Sequence, residues 1–127
     1  MTVIRGQHLT TFDVAPDGET VSINFVDDRA TPGALVLPSD CLNALMMTLP
    51  EIMKRTLRQR FHDQSVRLVY PVGDWNVEGS MVPGTLIVTL GTPDGFQVSF
   101  SLPAFDLLRM ATIGVRACPK ASAVIGN

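Results

Sequence analysis

Across residues 37–61 apolar side chains recur at the spacing of an amphipathic helix, the longest regular pattern in the chain. Leu42, Met46, Leu49, Met53 and Leu57 lie three or four apart, and Leu45, Ile52 and Phe61 widen the stripe. Pro38 suits a first helical turn, where its missing N–H costs nothing. Ser39 and Asp40 place oxygens near the free amides, and Lys54, Arg55, Arg58 and Arg60 complement the negative end of the dipole. Pro50 interrupts the pattern by removing one hydrogen bond and crowding the carbonyl of Met46, at roughly 3 kcal/mol or more. Thr48 and Glu51 have the spacing of a capping box that would start a second helix. That box needs Leu49 to be helical, against the preference of a residue before proline. The stripe crosses Pro50 without a phase slip, so one helix kinked at Pro50 is preferred to two.

The rest of the chain reads as short strands and turns that need this helix as a packing partner. His8 to Val14 and residues 19–25 form a hairpin around Ala15-Pro16-Asp17-Gly18, with Val21, Ile23 and Phe25 on one face of its second strand. A polar loop ending in Pro32-Gly33 leads to a short strand at residues 34–37, which enters the helix. Further strands are expected at residues 66–70, 75–81, 86–90 and 96–101, with Gly79 as a candidate bulge. Pro-Gly or Asp-Gly turns follow residues 82 and 93. A second helix is expected from Ala104 to Ala117 after Leu102-Pro103, and residues 119–127 read as a loose tail.

Sliding the chain by 65 residues lays residues 21–25 over 86–90, Leu37-Pro38 over Leu102-Pro103, and Leu42 over Leu107. Turn chemistry alone makes any strand–strand–helix pair look alike, so the match rests on the coincidence of pattern, turn and helix start. The fold class expected is α+β in one domain, residues 1–127. It would have an antiparallel sheet of about six to seven strands, with two helices on one face. The pseudo-repeats would span about residues 1–62 and 66–118, related by a pseudo-twofold and sharing the sheet.

Charge is scarce. Asp, Glu, Lys and Arg make up 17% of the 127 residues, against roughly 25% in an ordinary soluble domain. Mean hydropathy is +0.24. A surface this poor in charge points to cover by another chain, and the expected state is a homo-oligomer, a dimer in the simplest case. The second helix points the same way. Phe105, Leu107, Leu108, Met110, Ala111, Ile113 and Val115 leave only a thin polar stripe through Asp106, Arg109 and Arg116. Met46 and Met47 are adjacent and cannot both face one core line. Met46, Met47, Leu108 and Ile113 are therefore the candidate oligomer interface.

A net charge of −2 and a pI of about 5.5 argue against a dedicated nucleic-acid binder. The N-terminus lacks a basic run before an apolar core, and no apolar run is long enough for a membrane span. Two cysteines, Cys41 and Cys118, make no disulfide framework, so the cytoplasm is the expected compartment.

Motifs for chemistry are sparse. Cys41 sits in a first helical turn, where the dipole favours a thiolate, but free cysteine is usually a buried structural residue. On a continuous helix Cys41 and His62 are about 30 Å apart, which leaves His8 as the only imidazole in reach. His62-Asp63 with the neighbouring arginines has the residues of an anion or acid–base site, but a solvated, dipole-complementing helix end is the preferred explanation. Asp27-Asp28 falls short of the oxygens that a hard cation needs. No phosphate loop, metal spacing or serine elbow is present, and no cofactor is expected. The reading is a small cytoplasmic module, homo-oligomeric and leaning away from enzymatic activity, with a binding or accessory role. Its candidate partner surface is Lys54, Arg55, Arg58, Arg60 and His62 at the end of the first helix. The alternative is a small-ligand binder or enzyme whose site lies between helices and sheet and uses Cys41, His8 or that basic end.

Overall fold

The computed structural model describes residues 1–118. They form two compact units, residues 1–68 and the unit that begins at Val69, each built as three strands and a helix. In the first unit β1 (His8–Val14), β2 (Thr20–Val26) and β3 (Pro32–Pro38) make an antiparallel sheet in the order β1-β2-β3, followed by α1 (Ser39–Phe61). In the second, β4 (Asp74–Gly79), β5 (Thr85–Gly91) and β6 (Gln97–Pro103) make a sheet in the order β4-β5-β6, followed by α2 (Ala104–Ala117). The class is α+β and the strand–strand–strand–helix unit occurs twice.

Side chains directly opposite in an antiparallel ladder share a face, so the register sorts the residues. In the first sheet Val21 lies between Val14 and Leu37, Ile23 between Phe12 and Leu35, and Phe25 between Leu9 and Gly33. That face carries no charge. Its glycine is required, because a Cβ on Gly33 would sit 2.7 Å from the ring of Phe25. The other face is tied by polar side chains. Asn24 donates to Thr11 (2.9 Å) and Asp13 (3.3 Å) and accepts from Ser22 (2.9 Å). The second sheet repeats the division. Leu86, Val88 and Leu90 lie between Gly79, Val77 and Trp75 on one side and Leu102, Phe100 and Val98 on the other. Thr89 and Ser99 hydrogen-bond at 2.8 Å on its opposite face.

The spacing between the units is 65 residues at each step from the second strand on, with Thr85 against Thr20, Gln97 against Pro32 and Ala104 against Ser39. Loop hydrogen bonds follow the same offset. The first hairpins close with Ala15 N to Thr20 O (3.0 Å) and Ser80 N to Thr85 O (3.1 Å). The second pair closes with Asp27 N to Thr31 O (3.1 Å) and Thr92 N to Phe96 O (2.8 Å). Inside these loops Ala30 and Gly95 occupy the same left-handed position, at φ 62° and 99°. The units differ at the first strand, where β1 has a register shift between Leu9 and Phe12 while β4 pairs regularly. The bulge expected at Gly79 lies instead in β1.

Strand and helix meet with no loop between them. Pro38 and Pro103 each end a strand and cap a helix, at φ −59° with ψ 146° and 139°. The first helical amide then donates back across the sheet end, Ser39 N to Glu19 O at 2.8 Å and Ala104 N to Gly84 O at 2.9 Å. Each helix therefore leaves its sheet in a direction fixed by the ladder. A helix that folds back over its own sheet normally follows a loop of about two to six residues. Here the substantial contacts of α1 are with β3 and those of α2 with β6, the strands that they continue.

Several expectations are corrected. The six strands belong to two three-stranded sheets, not one shared sheet, and in neither unit is the helix laid on its own sheet. Residues 66–70 carry no strand, because their backbone finds no ladder partner after the helix. A single helix runs through Pro50, so one helix rather than two is correct. Thr48 Oγ1 bonds the carbonyl of Ala44 (2.7 Å) instead of capping a new helix. The tail expected at residues 119–127 lies outside the described residues.

The matched loop positions make a prediction. A left-handed non-glycine residue costs about 1–2 kcal/mol, and glycine's extra chain entropy returns about 0.5–1 of that. Ala30→Gly should therefore raise the thermal midpoint at fixed protein concentration, and Gly95→Ala should lower it. A lowered midpoint for Ala30→Gly would show that the strain is absent.

Candidate functional site

The basic end of α1 is the first candidate. Lys54, Arg58 and His62 are spaced by four, so they line one helix face, with Arg55 beside them and Arg60 turned to the other side. Much of this charge is already engaged. Glu51 bonds Lys54 Nζ at 2.8 Å and Arg55 Nε at 3.1 Å, both on the solvent side. Arg58 Nε donates to the carbonyl of Val66 at 3.2 Å, pinning the chain that leaves the helix. His62 adopts a left-handed φ of 51° and caps the helix through bonds to Arg58 O and Gln59 O. Arg58, Gln59, His62 and Gln64 line a shallow open depression there. Lys54 first, and then Arg55, holds the Glu51 carboxyl below its usual range. Asp63 is lowered by the Ser65 hydroxyl and amide, and Asp27 by the amides of Thr31 and Arg29.

The alternative reading needs Cys41 near His8, and the topology separates them. Cys41 follows Pro38, at the end of the sheet where Val21 pairs with Val14 and Leu37. His8 pairs with Val26, beside Pro32, at the opposite end. Six strand residues at about 3.3 Å each put roughly 20 Å between those ends. Cys41 is also exposed rather than buried, which corrects the expectation that it packs as a small hydrophobe. The helix covers no sheet in its own unit, so the site expected between helix and sheet is not formed within either unit. Among the described residues no three His, Cys, Asp or Glu side chains gather closely enough to hold a metal ion.

The second candidate is apolar. Neither helix has a buried residue, and Val21 is the sole buried large apolar side chain among the described residues. Met46, Met47, Leu108 and Ile113 are all exposed. On α2, Phe105, Leu108, Thr112 and Ile113 form a shallow groove around Arg109, which approaches Asp106 at 3.9 Å. The uncovered set is wider than the four interface residues chosen from the sequence. It includes the apolar faces of both sheets, with Phe12, Leu35, Trp75, Val77 and Phe100 exposed. Strict alternation in β2 and β6 was the signal available for these faces, but it reads as the inside of a monomer when a helix is assumed to cover it. No helix of the described residues is long and apolar enough to cross a membrane. Comparison with known families, curated proteins and solved structures finds no match for the chain.

Glu51 offers a test of the basic face. Its folded pKa is depressed, so its contribution to stability is complete above the unfolded value. The contribution is lost as pH falls through the folded value, and nothing changes near neutrality. Carboxyl NMR titration should place Glu51 below the usual glutamate range, and Lys54→Met should move it back up. A midpoint indifferent to Lys54→Met would remove Lys54 as the cause.

Proposed function

We propose that the chain is a non-enzymatic cytoplasmic module that works as a homo-oligomer, a dimer in the simplest case, in a binding or accessory role. The observation that carries this reading is the uncovered apolar surface. Units of about 60 residues normally bury most of what the unfolded chain exposes, and even then are marginal. Here the layers that would bury one another within a unit do not meet. Exposed apolar area on that scale marks an interaction surface. The scarcity of charge agrees with it, and a net charge of −2 opposes self-association only weakly. Both cysteines are free thiols, which suits a reducing compartment.

The basic end of α1 serves as a separate surface for a protein partner, with Lys54, Arg55, Arg58 and His62 in front and Arg60 behind. Ion pairing to Glu51 preorders Lys54 and Arg55 there.

Sedimentation equilibrium at micromolar concentration should give at least twice the chain mass of 13.8 kDa. A single-copy mass would defeat the reading. Trp75, the lone tryptophan, lies on an apolar sheet face, so dilution to dissociation should shift its emission to the red. Charge reversal at Arg55 and Arg58 should leave the oligomer mass unchanged and abolish partner binding. Retention of all binding would exclude the basic surface.

A further inference from the structure

We infer that the oligomer is built by exchange, with the helices of one copy lying across the apolar sheet faces of a second copy. This rests on the self-association proposed above and names how it is made. Each unit contains both layers of a two-layer α/β domain, a sheet with one apolar face and a helix with an apolar stripe. The Pro38 and Pro103 junctions keep them apart. With no loop residue, and with Ser39 and Ala104 bonded back to Glu19 and Gly84, each helix is launched off the end of its sheet. The same junction occurs in both units, so the separation is a property of the repeat.

A second copy is the occupant that the observations favour. It brings the missing layer in equal number, one helix for each sheet, with the same two faces. Dimensions agree. The 14 residues of α2 span about 21 Å, and a seven-residue strand spans about 23 Å. The apolar sheet faces carry no charged side chain, so a charged partner gains nothing there. The area suffices. Phe12, Trp75, Phe100 and Phe105 are 72%, 68%, 56% and 67% exposed. At 150–250 Å² for each ring, these four supply roughly half to four-fifths of the ~800 Å² per partner that a standard interface needs. Sheet-on-sheet pairing would cover those faces but leave both helices bare, whereas exchange covers both in one contact.

The test uses the full chain with a benzophenone amino acid in place of Leu108, and separately in place of Met47, both of which are exposed. Equal amounts of ¹⁵N-labelled and unlabelled chain are unfolded, mixed, refolded, irradiated and mapped by mass spectrometry. Exchange predicts cross-links from the helix probes to peptides covering residues 8–26, 32–38, 74–91 or 97–103, with roughly half joining labelled to unlabelled chain. In an oligomer of confirmed mass, mixed-label links that run only helix to helix would overturn exchange while leaving self-association intact. Helix-to-sheet links confined to one label would do the same. A single-copy mass would overturn both.

Discussion

The junction at Pro38, and its counterpart at Pro103, governs the rest of the structure. Proline fixes φ near the polyproline value and lacks an N–H, so it ends a strand and starts a helix without leaving a donor unmet. The following amide is spent on the ladder of the preceding hairpin. Strand and helix thus become one continuous element with a rigid bend. Everything that a short loop would allow, above all the helix swinging back over the sheet, is removed. The uncovered sheet faces, the exposed helix stripes and the case for a second copy all follow from that single constraint.

The duplicated unit makes the constraint general. Two segments with little residue identity keep the same lengths in their second and third strands, the same loop closures and the same helix starts. What they share is the chemistry at the points where backbone geometry is decided. Asp27 accepts from the amides of Arg29 and Thr31, and Thr92 Oγ1 accepts from Phe96 N at the matching place. A carboxylate and a hydroxyl do one job there, and a glycine and an alanine hold one φ region. The repeat is conserved as hydrogen bonding rather than as side-chain identity.

Among the described residues the basic end of α1 has no counterpart in the second unit, where α2 is shorter and ends near Arg116. It is the main polar feature that the duplication does not explain. Its ion pairs lie in solvent, where such pairs are worth little for stability. Stability alone therefore accounts for little of the charge there.

Much was legible in the sequence. Alternation located β2 and β6, a continuous apolar run located β5, turn chemistry located the hairpins, the Leu-Pro steps marked both helix starts, and the 65-residue slide found the repeat. These are local matters of φ, ψ and near-neighbour hydrogen bonds, which residue type controls directly. An apolar pattern too broad for one buried face also singled out Met46, Met47, Leu108 and Ile113, and all four are exposed. The sequence could not say that residues 66–70 would stay unpaired, because their apolar pattern is a strand's and only the absence of a ladder partner decides otherwise. Nor could it show that Cys41 and His8 lie at opposite ends of a sheet, that six strands divide into two sheets, or that each helix points away from its own. Those depend on which distant segments pair and on the angle at a junction. Sequence determined the elements and their order. Tertiary structure decided what each face was left to meet, because burial is a non-local property that a local pattern can demand but cannot supply.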